Sequence, residues 1–244
     1  SKRMNVSKKI ASYLARIPCG YVFSYTEVST EAVEKEALIK GLNRMAAAGK
    51  IAKLSQGKFY KPEQSPFGEL PPPQDQVVKD LLERRGTVEG YLSGLSIYPE
   101  LGLCTQVSNT IQIGKNETRP AFQRGRYKIS FIKQKNTITK ETIPLLQILD
   151  AMRCIKKIPD TDIGSACERF KHLIQQLSSK EQQSLMKLAI KYPTATRALL
   201  GAVLSEVAPP LDTDKLKQSL NPITRYKLTG ATDALANAEA WNIE

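Results

Sequence analysis

Within Glu31–Lys61 the chain switches from a helical to a strand period with almost no linker. That switch constrains the fold more than any other feature of the sequence. Glu31–Ala48 reads as one helix, because Val33, Ala37, Leu38, Leu42 and Met45 recur at three- and four-residue spacings and so share a face. Ser29 and Thr30 suit an N-cap, and Glu31 and Glu34 suit the positive end of the helix dipole. Gly49 stops the helix. Two short β-like runs follow, Lys50–Leu54 and Lys58–Lys61, joined by Ser55-Gln56-Gly57 as a hairpin with glycine in its turn.

The residues upstream extend the pattern. Val6–Arg16 is a first helix, with Ile10, Tyr13, Leu14 and Ile17 at helical spacing and Pro18 and Gly20 beyond its end. Tyr21–Phe23 reads as a short strand pairing with the hairpin, and Ser24 caps a short helix over Tyr25–Val28. Helix, short helix, long helix and hairpin within one small segment is the order of a winged helix-turn-helix.

Charge agrees with that order. The chain of 244 residues carries a formal net charge of +12. Residues 1–61 hold twelve Lys/Arg against four Asp/Glu, a net of +8, and the remaining 183 residues hold 24 against 20, a net of +4. A solubility requirement does not predict such clustering; a polyanionic partner for the N-terminal segment does. The long helix has the dimensions to enter a major groove. Its expected DNA contacts are Lys35, Lys40, Asn43 and Arg44, with Lys53 and Lys58 of the hairpin meeting phosphates. A lysine-rich solvent face alone is ordinary, and winged helices also dock proteins, so the element order and the charge must be read together.

The expected fold class is α+β: an N-terminal winged helix-turn-helix over 1–62, a Pro-rich linker over 63–73, and a C-terminal domain over 74–244. The linker contains Pro66, Gly68 and the run Pro71-Pro72-Pro73. Gln74–Arg85 reads as helix. A mixed β region over 87–132 is broken by glycines; Asn109–Ile113 alternates as a half-buried strand should, and Arg126–Ile132 places Tyr127, Ile129 and Phe131 on one face. Arg119, Arg124, Arg126 and Lys128 form a second basic group there, readable as an ordinary solvated face or as a protein or nucleic-acid contact. A helical bundle over 141–219 follows, with helices at Ile143–Ile158, Ile163–Leu177, Lys180–Tyr192 and Thr194–Val207. Trp241, the only tryptophan, is expected to anchor the 220–244 tail to the body.

Sequence motifs for catalysis do not appear. There is no GxxxxGK[ST] loop, no GxGxxG after a strand and no GxSxG elbow. Cys167 and His172 are five apart on a predicted helix and point apart, and Asp160 and Asp162 read as turn and cap residues. Cys19, Cys104, Cys154 and Cys167 with one histidine give no zinc spacing. The expectation is a non-enzymatic protein with no cofactor, metal or catalytic residue. No apolar run reaches membrane-spanning length, and Ser1–Lys9 is polar and basic, so no signal peptide or membrane segment is expected and the location expected is cytoplasmic. Ser1–Arg3 reads as a basic arm, native or added.

Three blocks resemble the AbiEi-type antitoxins of bacterial abortive-infection toxin–antitoxin systems and their relatives of unassigned function. The first is Gly20-Tyr21-Val22-Phe23 with Ala32–Gly49 and Gly57–Pro62. The second is Leu92-Ser93-Gly94-Leu95 with Leu101–Val107, similar to the family's GL and TQV segments. The third is Asn221-Pro222, Tyr226-Lys227-Leu228 and Trp241-Asn242-Ile243. Ser108 stands where proline is common in the family, and Glu31 and Glu34 make the start of the long helix more acidic than is usual there. The resemblance implies a winged helix that represses its own operon by binding DNA inverted repeats. It also implies a C-terminal domain that counters a nucleotidyltransferase-like toxin in the type IV manner, without a stable complex. A stand-alone winged-helix transcription factor with a ligand-sensing or oligomerising C-terminal domain, and a nucleic-acid enzyme or an accessory factor to one, are the competing readings.

Overall fold

The change of period is realised in the computed structural model of the protein, which describes residues 5–244; Ser1–Arg3 lies outside the described residues. The chain mixes helices and strands and ends in a helical region. It divides into two units, one running to Asp80 and including Phe122–Lys128, the other formed by Leu81–Ala121 and Ile129–Glu244.

The first unit opens with α1 (Val6–Arg16), β1 (Val22–Phe23) and α2 (Tyr25–Val28). The Asn5 side chain caps α1 by accepting the Ser7 N–H at 3.1 Å. Glu27 closes the start of α2 by accepting the Ser24 N–H at 2.9 Å. A 3-10 turn (Ala32–Glu34) leads into α3 (Lys35–Ala47), so the long helix begins four residues later than its periodicity suggests. Val33 and Ala37 are exposed, and the buried stripe of α3 is Leu38 and Leu42. Gly49 adopts φ +74° after the helix, a conformation open to glycine at no steric cost. β2 (Ala52–Ser55) and β3 (Lys58–Tyr60) form the hairpin, turned at Gly57 with φ +75° and bulged between Lys53 and Ser55. β1 pairs antiparallel with β3, Phe23 opposite Phe59.

Ile10, Phe23, Leu38, Leu42, Ile51 and Phe59 make this unit's core. Gly41 lets α1 and α3 approach: a Cβ there would lie 2.9 Å from Ile10 Cδ1. The proline run is not a free spacer. β4 (Glu63–Ser65) and β5 (Gly68–Leu70) pair as a second hairpin, Pro72 is buried, and Pro73 lies against Gly20. Two single-turn helices, α4 (Gln74–Val77) and α5 (Lys79–Leu82), replace the continuous helix expected over Gln74–Arg85. Gln76 Oε1 accepts the Val22 N–H at 3.2 Å, and the Lys79 ammonium donates to the Val22 carbonyl and sits 3.6 Å from the Tyr21 ring centroid. These contacts hold residues up to Asp80 on the first unit, and place its boundary beyond the prolines.

The second unit begins with a small hairpin, β6 (Glu83–Arg84) with β7 (Thr87–Val88), followed by β8 (Gly90–Ser93), a 3-10 turn (Gly94–Ser96) and α6 (Tyr98–Leu101). β8 pairs antiparallel with β9 (Thr110–Lys115), Leu92 opposite Ile113. β10 (Phe122–Arg124) and the first two residues of β11 (Tyr127–Lys133) group with the first unit; the remainder of β11 lies beside β9. Then come α7 (Ile143–Arg153), a 3-10 turn (Ile155–Lys157), α8 (Ile163–Gln175), α9 (Ser179–Ala189) and α10 (Thr194–Val207). α10 packs against α7, α8 and α9, and carries Ala198–Leu204 fully buried at its centre. Short helices α11 (Asp214–Gln218) and α12 (Ala231–Ala234) precede the tail, where Trp241 is buried against Gly201 of α10 as expected of an anchor.

At the heart of this unit a carboxyl is buried. Asp150 accepts hydrogen bonds from Tyr91 Oη at 2.5 Å, Tyr192 Oη at 2.6 Å and Ser93 Oγ at 2.7 Å. Gln134 Nε2 donates to both tyrosine oxygens, at 2.9 and 2.7 Å. Burial pushes the Asp150 carboxyl above its ordinary pKa despite the three hydroxyl donors. No helix among the described residues is long and apolar enough to cross a membrane.

Candidate nucleic-acid interface

The exposed side of α3 and the adjoining hairpin carry the basic residues that the sequence singles out. Lys35, Lys40, Asn43 and Arg44 are all exposed on α3, and Lys53 is exposed on β2. They are not equally available. Lys40 and Arg44 have no carboxylate within ion-pair distance among the described residues. The Lys35 ammonium lies 5.5 Å from the Tyr25 ring centroid. Lys53 Nζ donates to Asn43 Oδ1 at 3.1 Å, and Asn43 Nδ2 donates to the Ile39 carbonyl at 3.0 Å. This bridge ties hairpin to helix. It also means that Asn43 must exchange internal bonds before its amide can read a base edge. Lys58 is half-buried and lies 4.0 Å from Asp80 Oδ2.

The acidic turn before α3 is answered from α1. Lys9 Nζ lies 2.7 Å from Glu34 Oε2 and 3.4 Å from Glu31 Oε1, and Ser29 Oγ donates to Glu34 at 3.0 Å. The Glu34 hydrogen bond raises the Lys9 pKa. The two carboxylates that oppose a polyanion at the start of the long helix are therefore partly neutralised by a lysine on another helix. Nothing in the local sequence signals that pairing.

The structure separates the second basic group. Arg124 is spent on the fold: its guanidinium binds the Asp80 carboxylate twice, at 2.7 and 3.0 Å, and donates to the Val77 carbonyl at 2.9 Å. Burial, the largest single influence, would raise the Asp80 pKa, but the Arg124 hydrogen bonds, the Arg124 charge and the Lys58 charge together hold the carboxyl below its ordinary value. Arg126 lies 5.1 Å from the Tyr127 ring centroid and donates to its hydroxyl at 3.1 Å. Arg119 stacks over Phe131 at 5.5 Å. Lys128 is exposed. Arg124, Arg126 and Lys128 belong to the first unit and Arg119 to the second.

Asp162 caps α8 by accepting the Ser165 N–H at 2.8 Å, and Asp160 accepts from Gln106. Cys167 is buried, and burial pushes its thiol pKa up to about 12. Among the described residues no three His, Cys, Asp or Glu side chains gather as a metal site would require.

No protein-family model matches the chain, and no curated protein matches its sequence. The crystal structure of the RV2827C protein from Mycobacterium tuberculosis matches 95% of this chain and 88% of its own, with a TM-score of 0.59 at 13% identity. At that identity the likeness concerns the fold.

Proposed function

We propose that the protein is a DNA-binding antitoxin and autorepressor. In this reading the first unit is a winged helix-turn-helix: α3 enters the major groove and the β2–β3 hairpin, as the wing, lies on the phosphate backbone. The observation that carries the reading is the bridge between Lys53 and Asn43, which sets a basic hairpin beside the exposed face of a basic helix. Lys35, Lys40 and Arg44 supply backbone or base contacts, and Lys53 and Lys58 supply phosphate contacts. The partners proposed are inverted repeats upstream of the protein's own operon and a nucleotidyltransferase-like toxin, as the AbiEi resemblance implies. The second unit is the non-catalytic antitoxin module, acting in the type IV manner, in the cytoplasm of a bacterium.

Substitution separates the two roles better than truncation. A cut at Gln74 would remove first-unit residues 74–80 from their partners, among them Gln76 and Lys79 from Val22. In the full chain, Arg44→Glu with Lys53→Glu and Lys58→Glu is expected to abolish operator binding and repression while cells stay protected from the co-expressed toxin. Loss of protection together with repression would show that repression alone accounts for it and would end the antitoxin assignment of the second unit.

A further inference from the structure

Charge in the second unit is nearly balanced along the sequence but unevenly placed in space. A cleft of about 550 Å³ opens beside the Ile155–Lys157 turn, edged by Lys133, Arg153, Lys156 and Lys157. Its floor is apolar, made by Met152, Ile155, Leu199 and Leu228. A second cleft of about 440 Å³ shares Lys133 and Arg153 and adds Lys135, Lys191 and Arg197. The two recesses therefore adjoin along a common basic wall.

The acid lining the first cleft is Asp150, and its carboxylate is buried and already holds three hydroxyl donors. Arg197 donates to the Tyr192 and Ser219 carbonyls at 3.1 and 2.9 Å, Lys191 to the Lys135 carbonyl at 3.4 Å, and Lys133 to the Asn116 carbonyl. Lys135, Arg153, Lys156 and Lys157 have no carboxylate within ion-pair distance among the described residues. Like charges gathered in a recess repel one another, and a polyanion threaded between them relieves the repulsion.

We propose that the joined clefts bind a single strand of nucleic acid, its phosphates on the basic wall and its bases against the apolar floor. Three features favour this occupant. Two contiguous recesses follow a chain rather than enclose one anion. A basic edge over an apolar floor is the arrangement that binds strands without reading sequence. A duplex is convex and turns its bases inward, so it offers nothing to the floor. The surface is distinct from α3 and its hairpin, and the proposal stands whether or not these bind duplex DNA.

The test uses the full chain with Arg44→Ala, Lys53→Ala and Lys58→Ala, to silence the first unit, and adds Lys156→Glu, Lys157→Glu and Lys191→Glu. These three lysines are exposed, so the melting temperature should not move; if it does, glutamine replaces glutamate at the same positions. Anisotropy of a labelled oligo(U) or oligo(dT) strand is followed against salt. The expected result is at least a tenfold loss of affinity and a salt slope flatter by about two units. The same sequence annealed into a duplex should bind more weakly than the strand. Unchanged affinity in the glutamate or glutamine chain would overturn the proposal. So would displacement of the strand by sodium triphosphate at equal phosphate concentration, which would mean a small-anion site. Equal binding of polyglutamate would overturn it in favour of an acidic protein partner.

Discussion

The two units use polar groups in opposite ways. The first has a small core of Ile10, Phe23, Leu38, Leu42, Ile51 and Phe59, and its ion pairs are only partly buried, Lys9 with Glu34 and Arg124 with Asp80. The second has a much larger core and buries a carboxyl inside it, where Tyr91, Ser93 and Tyr192 must all donate at once. Pairs that water still reaches are screened and contribute modestly to stability. A buried network is costly to break and fixes one arrangement of its elements. Mutations in the first unit should therefore change binding more than stability, and mutations in the core of the second should do the reverse.

The largest effect is expected at Asp150. Asp150→Ala leaves three buried hydroxyls without their acceptor and should cost about 3–5 kcal/mol in denaturant unfolding of the second unit. A loss below about 1 kcal/mol would show that water or rotated hydroxyls repair the network, and the contrast between the units would weaken. Gly201→Ala comes next. A Cβ at Gly201 would overlap the Trp241 ring, so the tail must shift, at about 1–3 kcal/mol. Protease cleavage of the tail should accelerate in the same variant.

A smaller effect separates Asp150 from Asp150→Asn as a function of pH. The folded carboxyl is raised above its ordinary value by burial. Its contribution is therefore complete below the unfolded value of about 3.9 and is lost as pH climbs through the folded one. Asparagine does not titrate. The stability of the wild type relative to Asp150→Asn should fall as pH rises from about 4, and a difference that stays flat or grows would contradict the burial account.

Much of the fold is legible in the sequence because local signals and tertiary contacts agree. The Ser24 helix start, the Gly49 stop, the Gly57 turn and the pairing of Val22–Phe23 with the hairpin all follow from residue chemistry at those positions. So do α8 to α10, placed within three residues by apolar spacing and punctuation, whereas α7 stops at Arg153, five residues short of the expected Ile158, and a 3-10 turn follows it. The 3-10 turn at Ala32–Glu34 was hidden because Val33 continues the apolar period although it faces solvent. The proline run suggests a spacer, but Pro72 is buried and residues up to Asp80 pack on the first unit through Gln76 and Lys79, which no periodicity reveals. The candidate interface is legible as a set of residues. Its internal economy is not: Lys53 bound to Asn43, Lys9 answering Glu31 and Glu34, and Arg124 held by Asp80 join residues 10 to 44 positions apart. The basic clefts of the second unit were invisible for the same reason, since summed charge along a segment says nothing about where side chains converge.

The central claim is that α3 and its hairpin form a duplex DNA surface, and the salt dependence of binding to the native upstream region tests it most directly. Lys53→Ala with Lys58→Ala removes two proposed phosphate contacts at exposed or half-buried positions. The predicted result is weaker binding to every duplex, with a log–log salt slope flatter by about two units and a melting temperature close to that of the wild type. A slope that stays the same in the folded double variant would contradict the account.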